Sequence, residues 1–447
     1  MRLLGILPLT AVAILAQSVD PAERTLPISL KRAVEIALAP EGSPRVALAQ
    51  ESIRQAEAKK AIARGALLPD IESSINDQRQ TTSLRAFGIG FAFTSPVAGF
   101  TIPNVVGPYS IFDARATASQ TVFDFSTIRR YQASKADILA SQSDFDATKN
   151  QVSDQVARAY VAALRTDATL ETAHANVELS QALLRLAEQQ KEAGTGTGIE
   201  VVRAQVQLAN DNQKLIVAEN ERRRAGLNLL KAMGLTLDTN PELTDKLSYE
   251  SANVGSLEAA LADARETRAE LKAQKRREQS ARLNHSAVKS ERLPSLDASA
   301  NYGSIGSKLV GALPTYTYAF SIRVPVFDGG KRDARREESL SQYRQEQIRL
   351  HDLQDQVELD VRLAFDSVTS AAAEVDAARE GQRLAEQELE QARRRYQAGV
   401  TNSIEVTDAQ TRLDRARSNL IGALYDYNVA RIDLATATGR IREYVNQ

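Results

Sequence analysis

From residue 126 to residue 193 the chain runs for 68 residues without a glycine or a proline. As one α-helix that stretch is roughly 100 Å long. A second run, residues 331 to 398, is interrupted only by Gly381. The spacing inside these runs is that of a coiled coil. Leu170, Val177 and Leu184 recur every seven residues, with the small residues Ala173, Ser180 and Ala187 between them. Val201, Leu208 and Leu215 continue the repeat in the following segment, and Val406, Leu413, Leu420 and Tyr427 do so in the second half.

Each long run ends in a glycine and a short polar turn. Gly194, Gly196 and Gly198 precede Ile199-Glu200-Val201, and Gly399 precedes Thr401, Asn402 and Ile404-Glu405-Val406. A glycine closing one helix and a polar turn opening the next marks the tip of a helical hairpin. The two tips lie 205 residues apart (194 to 399), as do Gly234 and Gly439, which end the returning helices. The chain therefore reads as a duplicated unit, helix, strand, strand, long helix, tip, helix. The first copy covers 19 to 250, with a long helix over 126–193, a tip over 194–199 and a helix over 200–233. The second covers 251 to 447, with the corresponding spans at 331–398, 399–403 and 404–438.

The strand pairs precede the long helices. Phe112, Ala114, Ala116, Ala118 and Val122 alternate with Asp113, Arg115, Thr117, Ser119 and Thr121. Tyr316, Tyr318, Phe320, Ile322, Val324 and Val326 alternate with Thr317, Ala319, Ser321, Arg323 and Pro325. A period of two is a strand with one apolar and one polar face. The expected strands are about 70–82, 109–123, 295–304 and 315–327. Residues 86 to 112 carry no charge, but seven of these 27 are glycine or proline, which opposes a transmembrane helix and predicts an apolar loop with short β character. Four strands cannot close a barrel alone, and lipid does not tolerate open edges. A spanning reading thus demands oligomerisation, and the other reading is a small soluble sheet packed on helices.

Composition narrows the function. Arg2 followed by the apolar run 3 to 16 and Asp20-Pro21 reads as an export signal over residues 1–18, or else as a short buried helix. There is no cysteine, which excludes thiol catalysis, disulfides and a lipidated N-terminal cysteine. With 56 basic and 57 acidic residues there is no basic field for nucleic acid. His174, His285 and His351 have no metal-ligand companions at useful spacing. The glycines at 194, 196 and 198 follow a helix and lack the lysine of a phosphate loop. No cofactor and no catalytic constellation is expected. Arg393, Arg394 and Arg395 read as a solvated face just before a tip.

The ordered set of tips, together with Leu68-Pro69 and Leu293-Pro294 before strands and Val122-Phe123-Asp124 and Val326-Phe327-Asp328 after them, resembles the TolC-type outer-membrane efflux family. The resemblance implies a mainly α fold with a membrane β-barrel portion. It implies a homotrimer in which each chain lends four strands to a shared twelve-stranded barrel and its long helices to an α-barrel crossing the periplasm. It implies a passive export duct in the outer membrane, not an enzyme, met at its tips by a periplasmic adaptor and an inner-membrane transporter. On that resemblance the docking residues are Gly194, Gly196, Gly198, Glu200, Arg203, Gly399, Thr401 and Asn402. Glu405 and Asp408 fall where the family carries the acidic pair of the periplasmic constriction.

Three apart at a helix start, Glu405 and Asp408 share a face, and three copies would give six carboxylates in a narrow neck. The plainer reading is that Glu405 favours the helix N-terminus and Asp408 is solvated surface. The family's arginine two residues after the second-tip glycine is Thr401 here, so the expected partner of Glu200 is missing; Arg203, within a turn of Glu200, is the candidate substitute. The alternative function is a soluble periplasmic coiled-coil adaptor or scaffold. An adaptor would carry one helical hairpin flanked by β modules, whereas this chain carries two hairpins with matched strand pairs.

Overall fold

The computed structural model describes residues 25–39, 42–87, 104–250 and 255–446. The expected export signal, residues 1 to 18, and the greater part of the uncharged stretch, residues 88 to 103, lie outside the described residues.

Two helices dominate. α3 runs Phe125–Glu192 and α7 runs Lys331–Gln397. α4 (Gly198–Met233) and α8 (Ser403–Ala437) return from their far ends. Asp124 starts α3 by accepting hydrogen bonds from the Ser126 and Thr127 amides. The seam that the seven-residue spacing marks is buried at its small residues, Ala173, Ser180 and Ala187 being 8%, 1% and 3% exposed, and at Val177. Near the strands, α3 packs between α2 (Pro44–Gly65) and α6 (Ala269–Ser290), and α6 packs on α7. Toward the tips, α3 packs on α4 and α8, and α8 on α7.

The four long strands are β2 (Asp70–Ser83), β3 (Val105–Phe123), β5 (Ser295–Gly306) and β6 (Leu313–Arg323). They form one antiparallel sheet in the order β2-β3-β5-β6. Directly opposed residues share a face. One row reads Ile71, Ala118, Ala300, Tyr318, and the next reads Ser73, Ala116, Tyr302, Tyr316. The alternate row reads Glu72, Thr117, Asn301, Thr317. One face is thus apolar and aromatic, the other hydroxyl-rich and charged. Among the described residues nothing covers the apolar face, where Phe320 is 79% exposed.

Two strand limits differ from the sequence reading. β3 begins at Val105, so residues 105 to 108 are strand and not loop. β6 ends at Arg323, and Val324 and Val326 lie beyond it; Pro325 has no N–H to extend the ladder.

The middle of the molecule holds elements that periodicity does not predict. β1 (Thr25–Ile28) pairs in parallel with β4 (Asn240–Leu243). Beneath them Ile28, Tyr160, Leu229, Met233 and Ile441 are almost fully buried. The Tyr160 hydroxyl meets the Ile28 carbonyl at 2.9 Å and Asp245 at 2.8 Å. Asp245 also accepts from the Leu30 amide at 2.9 Å, where α1 (Leu30–Leu38) begins. Burial, and after it the Asp245 carboxylate, push the Tyr160 phenol well above the ordinary tyrosine range.

Candidate functional site

The two tips are built alike. α3 and α7 close on Gly194 and Gly399, at φ +74° and +72°. Past each glycine an amide bonds back across the last turn, Thr195 to the Gln190 carbonyl and Val400 to the Arg395 carbonyl. Gly196 lies in the first turn, while Gly198 is already the first residue of α4. Asn402 caps α8, its Oδ1 accepting from the Ile404 amide at 3.1 Å.

The acids of the tips are held differently. Glu200 reaches back within its own tip and accepts from the Thr197 amide at 3.0 Å. Arg203 lines the same cavity as Glu200 and makes no ion pair among the described residues. At the second tip Thr401 Oγ1 donates to Glu405 Oε2, and Arg395 Nη1 stands 3.0 Å from Glu405 Oε1. Asp408 is exposed and makes no hydrogen bond or ion pair among the described residues.

The tips are joined to each other. Leu179, Leu183 and Leu186 of α3 pack on Leu389, Tyr396, Val406 and Leu413 of the second hairpin. Between them lies a cavity of about 20 Å³, lined by Arg203, Tyr396, Ser403 and Gln410 among others. Tyr396 Oη, Ser403 Oγ and Gln410 Oε1, all at this cavity, are buried without a hydrogen-bond partner. Burial, and next the Glu200 charge, raise the Tyr396 phenol above the ordinary tyrosine value.

A polar junction sits directly behind the cavity. Asp211 of α4 is 2% exposed. It accepts from Ser180 Oγ of α3 at 2.5 Å, from Gln410 Nε2 of α8 at 3.3 Å, and from Gln207 Nε2 at 3.1 Å. One turn further from the tips, Asp414 of α8 accepts from Asn176 at 2.6 Å and from Lys214 at 2.7 Å. Three helices of two hairpins are therefore tied through buried or half-buried carboxylates. Sequence reasoning did not single out Asp211, and it read Arg395 only as part of a solvated face before the tip. The signal for Asp211 was present: it occupies a seam position between Ala204 and Ala218, seven residues from each, and a lone polar residue in an apolar seam fixes register. Arg395 gave no such signal, because only the folded turn brings it to Glu405.

Among the described residues, no helix is long and apolar enough to cross a membrane. The apolar face of the sheet is the surface suited to lipid.

Comparison with known proteins agrees with this architecture. The family model described as outer membrane efflux protein matches residues 36–235 and again 260–440, one match in each half. The pyoverdine export outer membrane protein OpmQ of Pseudomonas putida is 26% identical over 395 residues, covering 86% of this chain and 80% of that protein. The outer membrane protein TolC of Vibrio cholerae is 24% identical over 340 residues, covering 74% and 78%. Among solved structures, VceC of Vibrio cholerae superposes with a TM-score of 0.77 at 19% identity, covering 92% of this chain and 96% of that one. The CmeC channel of Campylobacter jejuni gives 0.78 at 16% identity, with 92% and 85% covered. With two hairpins, a sheet with a bare apolar face and a family match over both halves, the chain belongs to the outer membrane efflux protein family.

Proposed function

We propose that three copies of this chain form an export duct that crosses the outer membrane and the periplasm and is entered at the hairpin tips. The sheet carries this reading. Among the described residues β2 and β6 each pair on one side only, and the face they flank is apolar and bare. Unpaired edges are not tolerated in lipid, so β6 of one chain pairs with β2 of the next until twelve strands close. The lipid-facing rows are then those of Tyr316, Tyr318 and Phe320, and the hydroxyl-rich rows line the lumen. The long helices continue the wall through the periplasm.

In this assembly the tips, with Gly194, Gly196, Gly198, Glu200, Arg203, Gly399, Thr401 and Asn402, meet a periplasmic adaptor fed by an inner-membrane transporter. The acids of α8, Glu405 and Asp408, ring the narrow entrance. The reading is supported by their place one turn apart on one helix face at the second tip. The cargo class is not set by the fold: OpmQ is a pyoverdine exporter by its name, and AprF, 25% identical over 430 residues, is named for alkaline protease secretion.

The test is single-channel recording of the purified trimer in a planar bilayer. A cation-selective pore whose selectivity and divalent block weaken in Glu405→Ala/Asp408→Ala is expected. A pore indifferent to the double change moves the constriction elsewhere. A well-folded trimer that forms no pore would defeat the duct itself.

A further inference from the structure

Arg395 is the last of three consecutive arginines before the second tip. Arg394 is tied to Glu390 on its own helix. Arg393 lies two residues, or roughly 200° around the helix, from Arg395 and so on another face. Arg395 alone reaches across the tip, to Glu405 Oε1 at 3.0 Å. Thr401, standing where the sequence lacks an arginine, bonds the other carboxylate oxygen. Glu405 thus has both oxygens engaged inside its own hairpin. Asp408, on the same face of α8, has neither oxygen engaged among the described residues.

We propose that Arg395 is a selectivity-determining residue of the entrance: it offsets Glu405 and leaves Asp408 as the acid that a passing ion meets. This rests on the reading of Glu405 and Asp408 as the entrance ring. The charge count decides the size of the effect. Glu405 and Asp408 alone give −2 per chain, and Arg395 brings the sum to −1. Three copies then carry half the charge that the two acids would give. Of the other charges near the second tip, Arg412 is paired with Glu388 and Arg394 with Glu390, while Arg393 makes no ion pair among the described residues and lies on another face of α7, away from Glu405. Arg203 and Glu200, at the first tip, add one charge of each sign.

The Arg395–Glu405 contact is solvent-exposed, at 57% and 37% of the two side chains. As a contact it contributes little. Its effect on ions does not need a permanent contact. A guanidinium tethered at the tip stays within a Debye length, about 8 Å at physiological salt, of the carboxylate it faces. What a permeating ion senses is the net charge of that neck.

The experiment is the reversal potential of the trimer in a potassium chloride gradient, with magnesium block as a second readout. Arg395→Gln is expected to raise the cation-to-anion permeability ratio roughly twofold or more and to strengthen block. Glu405→Gln and Asp408→Asn are each expected to lower the ratio. The double variant Arg395→Gln/Glu405→Gln returns to the wild-type count of −1 per chain and is expected to behave as wild type. Arg395→Lys keeps the charge and should also match wild type; if it instead behaves like Arg395→Gln, the effect is structural and the proposal fails. An Arg395→Gln ratio equal to wild type, with Asp408→Asn still lowering it, overturns this proposal and leaves the entrance ring standing. Indifference to both acid substitutions removes the ring, and this proposal with it.

Discussion

Tyr396 and Asp211 are neighbours in the junction of the two hairpins, and their hydrogen bonding sets opposite expectations for them. The Tyr396 hydroxyl is buried and unpartnered, so removing it removes no bond. Tyr396→Phe is expected to leave amide-exchange protection at the start of α8 unchanged or to raise it. Asp211→Ala strands the donors of Ser180 and Gln207, while Gln410 keeps its bond to Ser180, a cost of about 1–3 kcal/mol. Protection of the same amides should fall by that amount, and equal protection in both variants would mean that the junction bears no load. The phenol adds a pH signature. Its pKa in the packed tip is raised, by burial first and by Glu200 second. A raised pKa disfavours the ionised form in the folded state, so the stabilisation is complete below the ordinary value of 10.0 and is lost as pH climbs through the raised one. Wild-type tips should therefore loosen in that alkaline window and Tyr396→Phe tips should not, as local exchange rates would report.

Helix ends show why glycines in the same backbone conformation are not equivalent in energy. Gly399 and Gly234 both stop a helix in the left-handed region, at φ +72° and +75°. A Cβ on Gly399 meets nothing within 4 Å, whereas one on Gly234 falls 2.5 Å from the Gly42 carbonyl oxygen. Gly399→Ala is expected to cost only the left-handed strain, about 1–2 kcal/mol. Gly234→Ala adds a backbone clash in the middle of the molecule, so its thermal midpoint should drop further. Equal midpoints would contradict the close approach. The tip is thus a hinge-like end with room around it, and the same glycine at the middle is a packing requirement.

At the scale of the whole molecule, the sheet is stable only in company. Among the described residues of one chain, its edges β2 and β6 are open and its apolar face is bare. A charge on that face tests the lipid-facing assignment. Phe320→Arg places a guanidinium among Tyr318, Ile322 and Ala298, and at membrane depth this costs about 2–4 kcal/mol in each of three copies. The expected outcome is a sharp fall in heat-resistant trimer recovered from outer membranes, with Thr317→Arg on the opposite face far milder. The reverse order would put the lumen on the wrong side of the sheet.

The plan of this protein is written in local sequence patterns. The seven-residue spacing of Leu170, Val177 and Leu184, the period of two at Tyr316, Tyr318 and Phe320, and the repeated glycine tips are local patterns, and a local pattern states its element and its buried face directly. The duplication and the family follow from their order. Other features were decided only by tertiary structure, because they join residues far apart in the chain. The pairing of β1 with β4 brings residue 25 beside residue 240. The link of Gln410 to Asp211 and Ser180 joins two hairpins across a seam. The candidate site divides in the same way. The tips and the acids Glu405 and Asp408 were legible, since a helix start and an i, i+3 spacing are written in sequence. The engagement of Glu405 by Arg395 was not: that distance exists only once the chain has turned at Gly399 and laid the end of α7 against the beginning of α8.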